Sequence, residues 1–185
     1  MFEKIKQFQQ NRIVKGLSRN AREKRIANIA DLKLIGLVFE VGSEQDWNAI
    51  YRFVKAMEHD GKKVILIGFH PEDLELSYIF THQQTTICHE KEDFNFWGLP
   101  KDDVIDDFIG RHYDILIDTT DQPNFFGKYI SLRAEADLKI TYVNDNAEEA
   151  ETTESIFDLL IHGEQPIEIE TYLAEVVKYL GMIKK

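Results

Sequence analysis

Leu34-Ile35-Gly36-Leu37-Val38-Phe39 and Lys63-Val64-Ile65-Leu66-Ile67 are two short apolar runs with no polar residue at every second position. A strand with one wet face alternates, whereas a strand covered on both faces does not, so these runs predict buried strands of a parallel sheet. The segment between them predicts a helix. Gly42-Ser43 breaks the chain, Ser43 is a good N-cap, and Asp46 stands three residues on as its capping-box partner. Trp47, Ile50, Tyr51, Val54 and Met57 then share one helical face, and Gly61 suits the stop.

The same pattern repeats towards the C-terminus. Thr85-Thr86-Ile87-Cys88 predicts a short third strand, Tyr113–Ile117 a fourth and Leu138–Val143 a fifth. Pro100 is placed to open a helix with Val104, Ile105, Phe108 and Ile109 inward, and Phe125, Phe126, Tyr129 and Ile130 mark the next. Ile169, Tyr172, Leu173, Val176, Val177 and Leu180 follow the i, i+3, i+4, i+7 spacing of a final helix. Ser155–Ile161 is apolar and fits either a helix or a strand. Strand and helix in alternation imply right-handed crossovers. The expectation is one three-layer α/β domain over 32–185, a doubly wound, mostly parallel sheet of five strands, or six if Ser155–Ile161 is one.

Residues 1–31 precede it as a helical arm, with no proline and one glycine. Residues 1–33 carry nine Lys or Arg against three acids, +6, so within a net charge of −11 the rest carries −17. Arg19, Arg22, Lys24 and Arg25 concentrate that charge where the apolar stripe fades. One cysteine, Cys88, excludes an internal disulfide and a four-thiolate zinc site. No apolar run is long enough to span a bilayer, and the first residues lack the apolar stretch of a secretory signal. The expectation is a cytoplasmic protein with no membrane association.

In a doubly wound sheet, ligands bind beyond the strand C-termini where the strand order reverses. The ends of the first and fourth strands are the expected flanks, which nominates Glu40, Val41, Gly42, Ser43, Asp118, Thr119, Thr120 and Asp121, with Gly42, Ser43, Asp118, Thr119 and Asp121 taken forward for ligand binding together with His70 after the second strand. Each has a plainer structural reading. Ser43 serves as an N-cap, with one glycine and no phosphate-loop motif beside it, and Glu44 puts negative charge where a phosphate would sit. Asp118 and Asp121 suit turn chemistry, and His70 a loop position. Asp102, Asp103, Asp106 and Asp107 favour the helix dipole rather than a cation. Cys88 and His89 are neighbours on a strand and point to opposite faces, which argues against a nucleophile pair. No metal site, cofactor or catalytic set is predicted.

Phe94, Phe96 and Trp97 lie in a loop that either forms an association surface or folds over the sheet edge. Phe96-Trp97-Gly98-Leu99-Pro100 before an acidic helix, Tyr113–Asp118 and Tyr129-Ile130 together resemble a small bacterial family of uncharacterised, Rossmann-like α/β proteins. More distantly, Tyr113–Asp118 and the following helix look like the acceptor half of heptosyltransferase-type glycosyltransferases. That resemblance implies an α/β fold and supplies no activity. Three functional readings follow. The first is a non-enzymatic binding or assembly protein, homo-oligomeric through the arm or the aromatic loop. The second is a nucleotide- or sugar-phosphate-binding enzyme using the strand-end cleft. The third is an RNA-associated protein acting through the basic arm, whose charge could instead meet an acidic partner or the protein's own body.

Overall fold

Six parallel strands form one sheet in the order β3-β2-β1-β4-β5-β6. A computed structural model describes residues 2–17, 24–71, 82–120, 124–144, 153, 155–163 and 166–183. The strands are β1 (Leu34–Glu40), β2 (Lys63–His70), β3 (Thr85–His89), β4 (His112–Asp118), β5 (Glu135–Asn144) and β6 (Leu159–Gly163). The helices are α1 (Phe2–Leu17), α2 (Glu44–His59), α3 (Glu90–Asp93), α4 (Asp102–Ile109), α5 (Phe125–Arg133) and α6 (Ile169–Met182).

The apolar runs end up where their lack of alternation demands. Ile35, Leu37, Val38 and Phe39 of β1 are buried, as are Val64, Leu66 and Ile67 of β2 and Ile115, Leu116 and Ile117 of β4. One face packs against α2 and α6, through Trp47, Ile50, Val54, Tyr172, Leu173 and Val176. The other packs against α4 and α5, through Ile105, Phe108, Phe126, Tyr129 and Ile130. Both ends of α2 form as read. Ser43 and Asp46 close a full capping box, and Gly61, at φ 77°, ends the helix with Gly61 N–H donating to Glu58 O and Lys62 N–H to Met57 O.

Several boundaries differ from expectation, β2 running on to His70 and β5 spanning Glu135–Asn144 among them. The arm is helical over Phe2–Leu17, and residues 24–28 are not helical; Arg19 and Arg22 lie outside the described residues. α4 starts at Asp102, because Pro100 is held two residues upstream in an antiparallel bridge with Phe94. β3 extends through His89, which pairs with His70. The ambiguous stretch becomes a turn followed by β6. Asp158 sets that register: its carboxylate accepts from Lys139 N–H and its own N–H donates to Lys139 O, each at 2.8 Å. A strand edge at β5 thus decided what local preference left open.

The N-terminal segment is part of the body. Val14 is buried with Ile156 and Phe157, and Ile13 and Leu17 pack against the α4–α5 side. Gln10 donates from Nε2 to Trp97 O at 3.0 Å. Lys24 pairs with Asp158 at 2.9 Å.

Candidate functional site

The strand order reverses between β1 and β4, so α2 leaves β1 on one face while α5 leaves β4 on the other, and a crevice opens between their starts. Val38 is paired with Asp118 in the last rung. Beyond it, Thr119 donates from both its N–H (2.8 Å) and its hydroxyl (3.0 Å) to Val38 O, which pins the end of β4 to β1. On the α2 and α6 side this edge holds a cavity of about 330 Å³ lined by Glu40, Val41, Gly42, Asp46, Thr119, Thr120, Tyr142, Tyr172 and the segment Pro166 to Ile169. Of the residues taken forward from the sequence, Gly42 and Thr119 line it.

The chemistry at the edge differs from a phosphate cradle. The N-terminus of α2 is the place where a doubly wound fold presents free amides to an anion. Here Asp46 Oδ2 accepts from Ser43 N–H at 3.0 Å and from Ser43 Oγ at 2.7 Å, while Ser43 Oγ accepts from Asp46 N–H at 3.1 Å. A Cβ on Gly42 would lie 3.0 Å from the same carboxylate oxygen. The protein's own carboxylate fills the anion seat. Among the described lining residues the charged ones are Glu40, Asp46 and Glu168, and none is basic.

Asp118 lies just behind the cavity and is completely buried. Its Oδ1 accepts from Thr120 N–H (2.9 Å) and Thr120 Oγ1 (2.7 Å), an Asx turn that shapes the strand exit. Its Oδ2 has no hydrogen-bond partner among the described residues. Gly127 of α5 covers it so closely that an added Cβ would stand 2.4 Å from Oδ2. Burial pushes this carboxyl up to about 7, against the pull of the two Thr120 hydrogen bonds. Tyr172 is a second orphan: its hydroxyl is buried without a partner among the described residues, as is that of Ser131, and burial raises the Tyr172 pKa well above that of an ordinary tyrosine.

Other nominated residues lie elsewhere. His70 sits at the β2–β3 end, its Nδ1 3.0 Å from His89 Nδ1 with the rings edge-on, and lines neither this cavity nor the one below. One of the two nitrogens must carry a proton and the other accept it. Asp121 lies outside the described residues. Cys88 is fully buried and its thiol is pushed up to about 12 by burial, which leaves it without nucleophilic character. Phe94 folds inward, 5.3 Å from Phe69 and 6.0 Å from Phe126 between ring centroids, whereas Phe96 is 65% exposed and edge-on to Trp97.

A second cavity, about 410 Å³, lies across the sheet edge between α1, the aromatic loop and α5. Glu40 borders both. Asn124, the N-cap of α5, donates from Nδ2 to Glu40 Oε2 at 2.5 Å and accepts at Oδ1 from Gly127 N–H at 2.9 Å, so this pair forms the shared wall. Strand-end reasoning overlooked Tyr142, Tyr172, Glu168 and Lys6 as lining residues. The tyrosines fall on apolar faces and read as core, and Glu168 and Lys6 reach the edge only through the docking of α6 and α1.

Among the described residues no helix is long and apolar enough to cross a membrane, and no group of three or more His, Cys, Asp or Glu is arranged to hold a metal ion. No curated protein matches the chain. Residues 6–183, nearly the whole chain that builds the sheet, its helices and both cavities, match the model described as Family of unknown function (DUF6913), and the protein belongs to that family.

Proposed function

We propose that this protein binds a small, positively charged polar molecule, an amine or guanidine, in the cavity beyond β1 and β4. The observation that carries this reading is the charge of the site: Asp46 occupies the helix N-terminus, and Glu40 and Glu168 complete an acidic lining with no basic residue among those described. A phosphate there would meet carboxylates in a half-enclosed space, where repulsion is poorly screened. An ammonium group would meet carboxylate and hydroxyl acceptors. The volume suits a small metabolite. Neither this geometry nor the family match supports a likeness to heptosyltransferase-type enzymes.

The test is thermal unfolding against putrescine, agmatine and arginine, with nucleotides and sugar phosphates alongside. A ligand at about a hundred times its Kd should raise Tm by several degrees. Glu168→Gln should weaken the amine by roughly tenfold, the size of one charge-assisted hydrogen bond. A panel in which nothing stabilises, or only phosphate compounds do, ends this reading.

A second reading, self-association, is favoured by the exposure of Phe96 (65%) and Phe8 (67%). Sedimentation velocity checks it: the mass should rise with concentration, and Phe96→Ser should hold the chain nearer the monomer. The arm gives RNA binding no such support, since Lys24 is already paired with Asp158.

A further inference from the structure

The second cavity has a composition unlike the first. Its floor is aromatic: Phe69, Phe94 and Phe126 form a cluster with centroids 5.3 to 6.0 Å apart, and Phe125 adjoins them. Phe126 is buried, yet Phe69, Phe94 and Phe125 keep part of their surface in water although they pack on the α4–α5 side of the core. The packing of this chain thus leaves a ring-lined hollow unfilled. Removing that apolar surface from water favours an occupant.

The walls carry charge of both signs. Lys6 of α1 stands on one side, and it has no ion pair among the described residues. Glu90, at the start of α3, and Glu40, in the shared wall, stand on others. The side of the hollow bearing Lys6 is held in place. Gln10 ties α1 to the carbonyl of Trp97, and Gly98 lets Lys6 Cε approach to 2.9 Å from where a Cβ would be. A purely apolar ligand would leave the Lys6 ammonium unanswered. A simple anion would meet Glu40 and Glu90, and a simple cation would meet Lys6.

From this arrangement we infer that the second cavity binds an aromatic zwitterion, of which a free aromatic amino acid is the simplest case. The ring lies on the phenylalanine cluster, the carboxylate faces Lys6, and the ammonium faces Glu90 and Glu40. Aromatic faces also favour a nearby ammonium. The site lies across the Glu40–Asn124 wall from the amine site, and among the described lining residues the two share Glu40 alone.

Isothermal titration of the full chain with L-phenylalanine tests the inference. Phenethylamine, phenylacetate and L-alanine serve as probes that lack the carboxylate, the amine and the ring. Each should bind at least tenfold more weakly than L-phenylalanine, since each lost charged or ring contact is worth about one factor of ten or more. Lys6→Ala should weaken L-phenylalanine and phenylacetate about tenfold and leave phenethylamine unchanged. Phe94→Ala should weaken every ring-bearing probe, and circular dichroism confirms that this variant is folded. Glu168→Gln, which belongs to the other cavity, should leave L-phenylalanine affinity untouched, so the two sites fail or stand separately. No heat with L-phenylalanine at millimolar concentration overturns the inference. Equal affinity for phenethylamine, or an affinity unaffected by Lys6→Ala, overturns it too.

Discussion

Asp118 shows how one side chain can hold a strand exit and oppose the fold at neutral pH. Its pKa is raised from an ordinary 3.8 to about 7 because ionisation would leave a charge in a dry space with one oxygen unpartnered. A carboxyl raised on folding binds its proton more tightly in the folded chain. Its stabilising contribution is complete below the unfolded value and is lost as pH rises through about 7. Asp118→Asn keeps the Oδ1 acceptor for Thr120 and removes the titration. Relative to the parent, its stability should rise by about 2–3 kcal/mol between pH 5 and pH 8.5, measured by urea unfolding at both. An unchanged difference between the two pH values would show that Asp118 stays ionised. Gly127→Ala, which places a methyl against the same carboxylate, should cost about 1–3 kcal/mol at either pH. Asp118 was visible in the sequence as a polar residue closing an apolar strand. Its complete burial was not, because that depends on α5 lying over it.

At the level of elements, capping and periodicity did much of the work. The capping box of α2, the Gly61 stop and the stripe of α6 follow from residues a few positions apart, and each forms as read. The elements that depended on distant partners were less legible. Asp114 receives the N–H groups of Lys33 (2.5 Å) and Leu34 (2.8 Å) on one oxygen and so ties the entry of β1 to β4. Asp114→Ala should lower stability by about 1–3 kcal/mol and speed amide exchange at Leu34, read by hydrogen-exchange mass spectrometry. The docking of α1 is also tertiary. Val14 is 2% exposed against Ile156 and Phe157, residues more than a hundred positions away. Val14→Asp would bury a carboxylate in that contact. Trypsin should then cut at Arg12 and Lys15 faster than in the parent, while the sheet's main unfolding transition persists.

Over the whole molecule, charge is the dominant feature. The net charge is −11, and beyond residue 33 it is −17. Like charge at that density opposes compaction, and salt screens it over about 10 Å at 0.1 M. Raising NaCl from 10 to 150 mM should therefore raise Tm by a few degrees; a fall would place the balance with favourable pairs such as Lys24–Asp158. The sequence by itself determined the parallel α/β architecture, the placement of most strands and helices, and the edge at which Gly42 and Thr119 would meet, because those follow from local hydrophobic pattern, caps and the one-handedness of crossovers. Tertiary structure alone decided the rest. It buried Asp118, set β6 in register on β5, and folded α1 back to wall an aromatic hollow. Each of these depends on side chains far apart in the chain, and no local preference encodes which distant partner will arrive.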